Sequence, residues 1–230
     1  MVTVHKDYPI PGIETVPCRV DGVRGIVKTY LIYDDDQLIL VDTGASDLDG
    51  DIIIAAVEKM GRKMSDLTMC FLTHHHGDHV GGLKKIRPTA DFPVVISEID
   101  APTMEKNTGV KADRHIAEGE VLPVLGGVRV IAMPGHTIGS LALYSERIET
   151  FIAGDSIMSA GGWLLPSLPL LSDDPQMART SVQRLLDMDL KIDRLLCGHG
   201  DDVLGGAAMP LGRILAEGRM PFAPPPPASP

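Results

Sequence analysis

The stretch Thr73-His74-His75-His76-Gly77-Asp78-His79 organises the interpretation of this 230-residue chain. It follows an apolar run, residues 67–72, that is typical of a buried strand. Side chains two residues apart at an extended strand end point to the same side, so His74 and His76 share a side. His75 is therefore predicted to point away from its neighbours.

The second half of this stretch completes a set of metal ligands. Gly77 permits a sharp turn, which returns Asp78 and His79 toward the side that His74 and His76 share. Neutral imidazoles with a carboxylate suit zinc, and a group without cysteine favours a catalytic over a structural site.

Composition limits the class of protein. Hydrophobic residues make up 44% and aromatic residues only 4%, so the core is predicted to be mainly aliphatic. A formal net charge of −10 argues against a nucleic-acid partner, because phosphate binding needs a basic surface. Cys18, Cys70 and Cys197 show no C-x-x-C spacing, which favours a reducing compartment. No apolar leader or membrane span is recognisable, so we expect a cytoplasmic protein that does not engage a membrane.

The predicted elements indicate two β-rich halves with helices outside, an α+β arrangement. Residues 25–33 and 37–41 predict a hairpin, with the polar residues 34–36 as its turn rather than a calcium site. Further strands are predicted at 67–72, 92–96, 121–124, 128–133, 141–144, 150–153 and 192–197. Helices are predicted at 51–60, 81–86, 98–106, 175–186 and 209–217, and Asp173 or Asp174 is expected to cap the helix at 175.

Other metal-competent residues also follow predicted strands. His136, Asp155 and His199 come after separate apolar runs, and each directly follows a glycine. Glycine permits close backbone approach near a site. Any one of these pairs is weak evidence, but their repetition at strand ends favours a common site.

With the His74–His79 stretch, these segments resemble the metallo-β-lactamase fold superfamily over residues 25–200. The resemblance runs through 41–44, 73–79, 134–137, 154–155 and 198–199. It implies a four-layer αββα sandwich with a metal pair at the edge between two sheets. We expect one hydrolase domain over residues 1–217, followed by a Pro-rich tail, 218–230, that is extended from residue 221.

The resemblance also implies a role for each site residue. One metal would be held by His74, His76 and His136; the other by Asp78, His79 and His199; and Asp155 would bridge the two. Asp42 and Thr73 would orient ligand histidines. His75 occupies a variable position and is not expected to bind, while His5 and His115 match no motif.

The chemistry expected from such a site is hydrolytic. Two Zn²⁺ ions, with iron or manganese as alternatives, can lower the pKa of a shared water toward ~7, and the hydroxide attacks an electrophilic centre. Asp78 is the residue also assigned a catalytic role. Ser156 and Cys197 are interpreted as packing residues rather than nucleophiles.

Differences between this sequence and known members of the superfamily reduce the number of activities that we expect. Asp155 stands where common zinc β-lactamases use cysteine, and His76 stands where diiron flavoproteins place glutamate. The basic C-terminal region of glyoxalase II is reduced here to Arg213 and Arg219. A tyrosine typical of many lactonases is missing after Asp155, and there is no basic RNA-gripping arm.

The apolar insert at residues 161–171 leaves alternatives open. It is predicted to be a lid over the metal pair, a loop that covers the core, or a contact in a homodimer. We therefore expect a zinc-dependent hydrolase of a small ester, thioester or lactone. The alternatives are a mononuclear iron persulfide dioxygenase, a phosphodiester hydrolase, or a metal-binding module without turnover.

Overall fold

A computed structural model describes residues 9–20, 25–218 and 220–221. The first sheet has six strands in sequential order. They are β1 (Ile13–Val20), β2 (Gly25–Tyr33), β3 (Leu38–Val41), β4 (Met69–Phe71), β5 (Val94–Ile96) and β6 (Arg114–His115). Strands β1 to β3 are antiparallel, while β3 to β6 are parallel.

The second sheet has five strands in the order β13-β10-β9-β8-β7. They are β7 (Val121–Leu122), β8 (Val128–Ala132), β9 (Leu141–Ser145), β10 (Thr150–Ile152) and β13 (Arg194–Leu196). A smaller third sheet joins β11 (Ile157–Ala160), β12 (Trp163–Pro166) and β14 (Met220–Pro221).

Helices cover the outer faces of the two large sheets. They are α1 (Asp47–Lys59), α2 (Gly77–Val80), α3 (Leu83–Ile86), α4 (Ala101–Thr108), α5 (Pro175–Asp187) and α6 (Ala208–Glu217). Short 3-10 turns lie at Met64–Asp66, Arg87–Thr89 and Pro169–Leu171. Asp174 caps α5 by accepting a hydrogen bond from the Met177 N–H at 2.9 Å, and Pro175 follows it, which confirms the predicted start.

Alternating side chains divide the core into layers. In β3, Leu40 packs with Ile53 of α1, whereas Val41 faces the second sheet. In β10, Ile152 joins the cluster between the sheets, whereas Phe151 packs against α5 and α6. The order helix, sheet, sheet, helix is the predicted four-layer sandwich.

The strand directions bring distant parts of the sequence to one edge. In the first sheet, β3 and β4 are parallel, so both end at the same side. In the second sheet, β10 is parallel to β13, and β9 is antiparallel to both β8 and β10. Strands β8, β10 and β13 therefore also end together. The Leu141 N–H donates to the Thr73 carbonyl at 2.9 Å and joins the two sheets at this edge.

Three parts of the chain differ from the sequence-based prediction. Strand β1 was not predicted; it lies at a sheet edge, where Pro17 is tolerated. Residues 161–171 are not one loop, because Trp163–Pro166 pairs with Ile157–Ala160. Pro221 is not in a free appendage, since it pairs with Trp163. The domain boundary at residue 217 stays a prediction.

Other sequence-based expectations concern isolated residues. The three cysteines are buried and free, so no disulfide forms among them. Burial raises the pKa of Cys197 to about 12, which disfavours a thiolate nucleophile. His115 is exposed on β6, while His5 and residues 222–230 lie outside the described part of the chain. No helix in the ranges described combines the length and apolarity needed to cross a bilayer.

Candidate metal centre

The three-histidine group, His74, His76 and His136, joins the two sheets. His74 and His76 follow β4, and His136 follows β8. His76 Nδ1 lies 2.9 Å from His136 Nε2, and His74 Nε2 lies 3.2 Å from that same nitrogen. Tetrahedral zinc with nitrogen ligands at about 2.0–2.1 Å places those nitrogens about 3.3 Å apart. The ring nitrogens are therefore spaced as ligands of one ion.

A second group, Asp78, His79 and His199, lies beside the first. His199 Nε2 is 3.0 Å from Asp78 Oδ2, and His79 Nε2 is 4.0 Å from the same oxygen. Each of the two groups keeps its candidate ligand atoms within 4.8 Å of one another.

Asp155 lies between these two groups. Its Oδ2 is 3.6 Å from His136 Nε2 and 3.3 Å from His199 Nε2, while its Oδ1 is 3.3 Å from His79 Nε2. The structure thus brings all seven sequence-predicted candidate ligands together, with Asp155 in contact with residues of both groups.

Asp42 and Thr73 orient the histidines that follow β4. Asp42 accepts hydrogen bonds from the Thr73 N–H and Oγ1–H, each at 2.8 Å, and contacts His79 Nδ1 at 2.7 Å. Because Thr73 gives its hydroxyl proton to Asp42, its oxygen accepts from His74 Nδ1–H at 3.0 Å. Both His74 and His79 therefore present Nε2 to the site.

Two further contacts that hold candidate ligand histidines could not be recognised in the sequence. His136 Nδ1 lies 3.0 Å from Ser167 Oγ, and Ser167 in turn contacts Ser172 Oγ at 2.9 Å. His199 Nδ1–H donates to the Ile26 carbonyl at 3.2 Å. Ser167 lies in a Leu- and Pro-rich run that carries no recognisable site pattern, and a backbone carbonyl carries no sequence signal at all.

The donor set fits a metal better than an empty polar cluster. His79 Nε2 and Asp155 Oδ1 are buried 3.3 Å apart, yet neither makes a well-aligned hydrogen bond to the other or to any other described residue. Unsatisfied buried polar atoms are costly, so such atoms call for an unseen partner. Imidazole and carboxylate ligands without thiolate suit a divalent transition metal such as zinc.

The electrostatics differ between the two groups. Burial lowers the pKa of His136 to about 4 and that of His74 well below its usual value. Burial also opposes the charged forms of His79 and His199, but neighbouring carboxylates reverse this effect. Asp155 and Asp42 raise the pKa of His79 well above its usual value, and Asp155 and Asp78 raise that of His199 to about 9.

Glycine is required where the backbone approaches these ligands. A Cβ at Gly198 would collide with Asp155 Oδ1 and would lie 2.8 Å from His79 Cε1. Gly135 has φ +133°, a region that favours glycine, and it packs on the backbone of Ala178 in α5. The two Gly-His pairs, at Gly135 and Gly198, therefore have a steric basis.

His75 is directed away from the metal centre. Its Nδ1 lies 3.1 Å from Asp100 Oδ2, and this carboxylate raises the pKa of His75. His75 belongs to neither candidate metal group. Asp100, which the sequence analysis did not single out, receives this side chain instead.

Comparison with known proteins identifies the family. A family model described as the metallo-beta-lactamase superfamily matches residues 22–199. The chain belongs to this superfamily. The chain is 30% identical over 203 residues to YobT, an uncharacterized protein of Bacillus subtilis (strain 168). The matched region covers 76% of this chain and 83% of YobT.

Other relatives of this chain carry a named activity. A hydroxyacylglutathione hydrolase of Rhodopseudomonas palustris (strain HaA2) is 33% identical over 151 residues, which covers 65% of this chain and 53% of the hydrolase. The chain therefore spans about half the length of that relative.

Solved structures support the superfamily fold. A metallo-beta-lactamase from Pontibacter korlensis has a TM-score of 0.74 at 19% identity, covering 89% of this chain and 92% of that one. A metallo-beta-lactamase family protein from Thermus thermophilus has a TM-score of 0.71 at 21% identity, covering 90% and 79%. These identities are low, so the two structures support the fold alone.

Proposed function

We propose that this protein is a zinc-dependent hydrolase with a two-metal centre that cleaves a small ester, thioester or lactone. The observation that carries the proposal is the convergence of seven metal-competent side chains around Asp155. A single zinc needs only three or four protein ligands, so seven favour a pair of ions.

The chain's own residues would have separate roles in the reaction. Divalent ions held here would supply a water of lowered pKa and draw charge from the substrate's acyl oxygen. The buried His74 and His136 favour the neutral form, which leaves lone pairs available as ligands. Asp42, Thr73 and Ser167 hold the rings, so little reorganisation accompanies the reaction.

Asp78 is the residue suited to handle a proton. Its side chain is 29% exposed, whereas that of Asp155 is only 5% exposed. Asp78 Oδ2 faces His199, which leaves Oδ1 to accept a proton from the attacking water and return it to the leaving group. This division of roles supports the assignment of Asp78 as the catalytic residue.

An apolar rim favours an acyl substrate. We define this rim as Leu168, Leu170 and Leu171, which follow Ser167 and are 39%, 98% and 53% exposed. Because Ser167 contacts His136, the rim begins at the metal centre. An apolar surface of this kind favours uncharged acyl groups, since burying an unpaired charge is costly. The relatives named hydroxyacylglutathione hydrolases, whose substrate is an acyl thioester, agree with this class.

The experiment is a substrate screen on protein of known metal content. Activated esters, lactones, thioesters and phosphodiesters are compared, with His76→Ala as the inactive variant and His115→Ala as the matched control. We expect zinc and turnover of acyl substrates in the unaltered protein and in His115→Ala, and loss of turnover, together with the zinc of the three-histidine group, in His76→Ala. A preference for phosphodiesters, or iron with dioxygen consumption on a persulfide, would contradict the proposal.

A further inference from the structure

Asp100 stands immediately before α4, at the N-cap position, yet its side chain makes no capping hydrogen bond to that helix. The residue is 2% exposed. Burying a carboxylate costs free energy unless it is hydrogen-bonded. The hydrogen-bond partners of Asp100 therefore indicate its role.

Those partners lie on two loops that carry metal ligands. Asp100 Oδ2 accepts hydrogen bonds from the His75 N–H at 3.1 Å and from Thr137 Oγ1–H at 2.7 Å. Asp100 Oδ1 accepts from the Gly139 N–H at 3.1 Å. A Cβ at Gly139 would collide with this oxygen, so the close approach depends on glycine.

The two loops meet in the three-histidine group. The peptide of His75 separates His74 from His76, and Thr137 directly follows His136. Asp100 therefore hydrogen-bonds to both of the segments that carry the three histidines. In this group, His136 Nε2 lies 2.9 Å from His76 Nδ1 and 3.2 Å from His74 Nε2.

From this geometry we infer that Asp100 is a positioning residue for the three-histidine group and sets that group's metal affinity selectively. Its described hydrogen bonds do not reach the group of Asp78, His79 and His199. The inference rests on the metal centre of the proposed function, but it concerns metal affinity rather than turnover.

The test measures zinc affinity in two backgrounds. His199→Ala removes a ligand of the second group, so the remaining site reports the three-histidine group; His76→Ala does the reverse. Asp100→Asn keeps the shape but replaces an accepting oxygen by a donor, which leaves at least one of the three donors unpaired. Loss of a supporting partner typically weakens metal binding about 10–100-fold.

Asp34→Asn is the matched control. Like Asp100, Asp34 accepts three hydrogen bonds, here from the backbone N–H groups of Asp36, Gln37 and Leu125, in a turn away from the metal centre. A purely structural role for Asp100 would make the two variants behave alike.

We expect Asp100→Asn to weaken zinc binding at least about tenfold in the His199→Ala background and less than about twofold in the His76→Ala background. Asp34→Asn should change neither affinity by more than about twofold. Equal weakening in both backgrounds, or unchanged affinity of the three-histidine group, would overturn the inference.

A second pair of variants decides the matter if Asp100→Asn does not fold. Thr137→Val removes the hydroxyl that Asp100 accepts from, whereas Thr137→Ser retains it. Selective weakening in Thr137→Val alone supports the inference, and equal affinities in the two variants overturn it. Failure of the unaltered protein to bind zinc would instead overturn the proposed function.

Discussion

Asp42 Oδ2 lies 2.7 Å from His79 Nδ1, and this contact directs His79 Nε2 toward Asp155. Asp42 has φ +62°, which asparagine tolerates, so Asp42→Asn tests the carboxylate without straining the backbone. We expect about 10–100-fold weaker zinc binding at the group that contains His79. Competition titration with a chelator provides the measurement.

Asp189→Asn is the control for Asp42→Asn. Asp189 is exposed and has φ +50°, so the substitution matches the backbone conformation and the change in charge. It should leave both zinc affinities unchanged. Equal affinities in Asp42→Asn and Asp189→Asn would show that Asp42 does not orient His79 for metal binding.

The second prediction separates two neighbouring histidines. His75→Ala should retain the metal and most activity, because His75 faces Asp100 and the backbone N–H that Asp100 accepts from remains. His76→Ala should lose turnover together with the zinc of the three-histidine group. Metal analysis and initial rates on the two variants provide the test, and equal losses would mean that His75 is itself a ligand.

The third prediction concerns protons released on metal binding. In the metal-free protein at about pH 7.5, we expect His79 and His199 to be protonated, because neighbouring carboxylates raise the pKa of both, that of His199 to about 9. His74 and His136 are neutral, since burial lowers the pKa of His136 to about 4. Filling the second group should therefore release about two protons, and filling the three-histidine group almost none.

Calorimetry in buffers of different ionisation enthalpy measures this release. The His199→Ala background isolates the three-histidine group, as above. The sign is fixed by the raised pKa values: affinity at the second group should rise as pH rises toward 9, while affinity at the three-histidine group should stay flat above pH 6.5, the usual pKa of histidine. Equal proton release in both backgrounds would contradict the assigned charge states.

The sequence predicts which candidate ligands come together, because each follows an apolar strand and parallel strands end at the same edge. The prediction is weaker for supports that depend on loop approach. Ser167 reaches His136 and Asp100 reaches Thr137 only through tertiary contacts, which leave no periodic pattern. The short strand Trp163–Pro166 was missed because its apolar residues do not alternate with polar ones.

The fourth prediction tests the apolar rim. The sequence pointed to the apolar insert at residues 161–171. Within it, Trp163 lies in β12, whereas Leu170 and Leu171 are exposed beyond Ser167. Leu170→Ser with Leu171→Ser should raise KM for apolar acyl substrates several-fold, because these exposed side chains would bury only part of their apolar area against the substrate, at about 25 cal/mol per Å². Metal content should not change.

Val121→Ser serves as the control for the rim variants. Val121 is 57% exposed on β7, which pairs with the start of β8. His136 follows the other end of β8, so Val121 and the metal centre lie at opposite ends of that strand. Unchanged KM in the rim variants, together with a shift in oligomeric state, would identify the rim as a subunit contact.

The central claim of the proposed function is that two metal ions would act together at this site, with Asp155 positioned to contact both. Its most direct test is hydrolysis of an acyl thioester or lactone by metal-free protein as zinc is added. The account predicts that activity rises until two equivalents are bound, and that Asp78→Ala binds one ion and is inactive. A plateau at one equivalent, with Asp78→Ala holding the same amount of zinc as the unaltered protein, would contradict it.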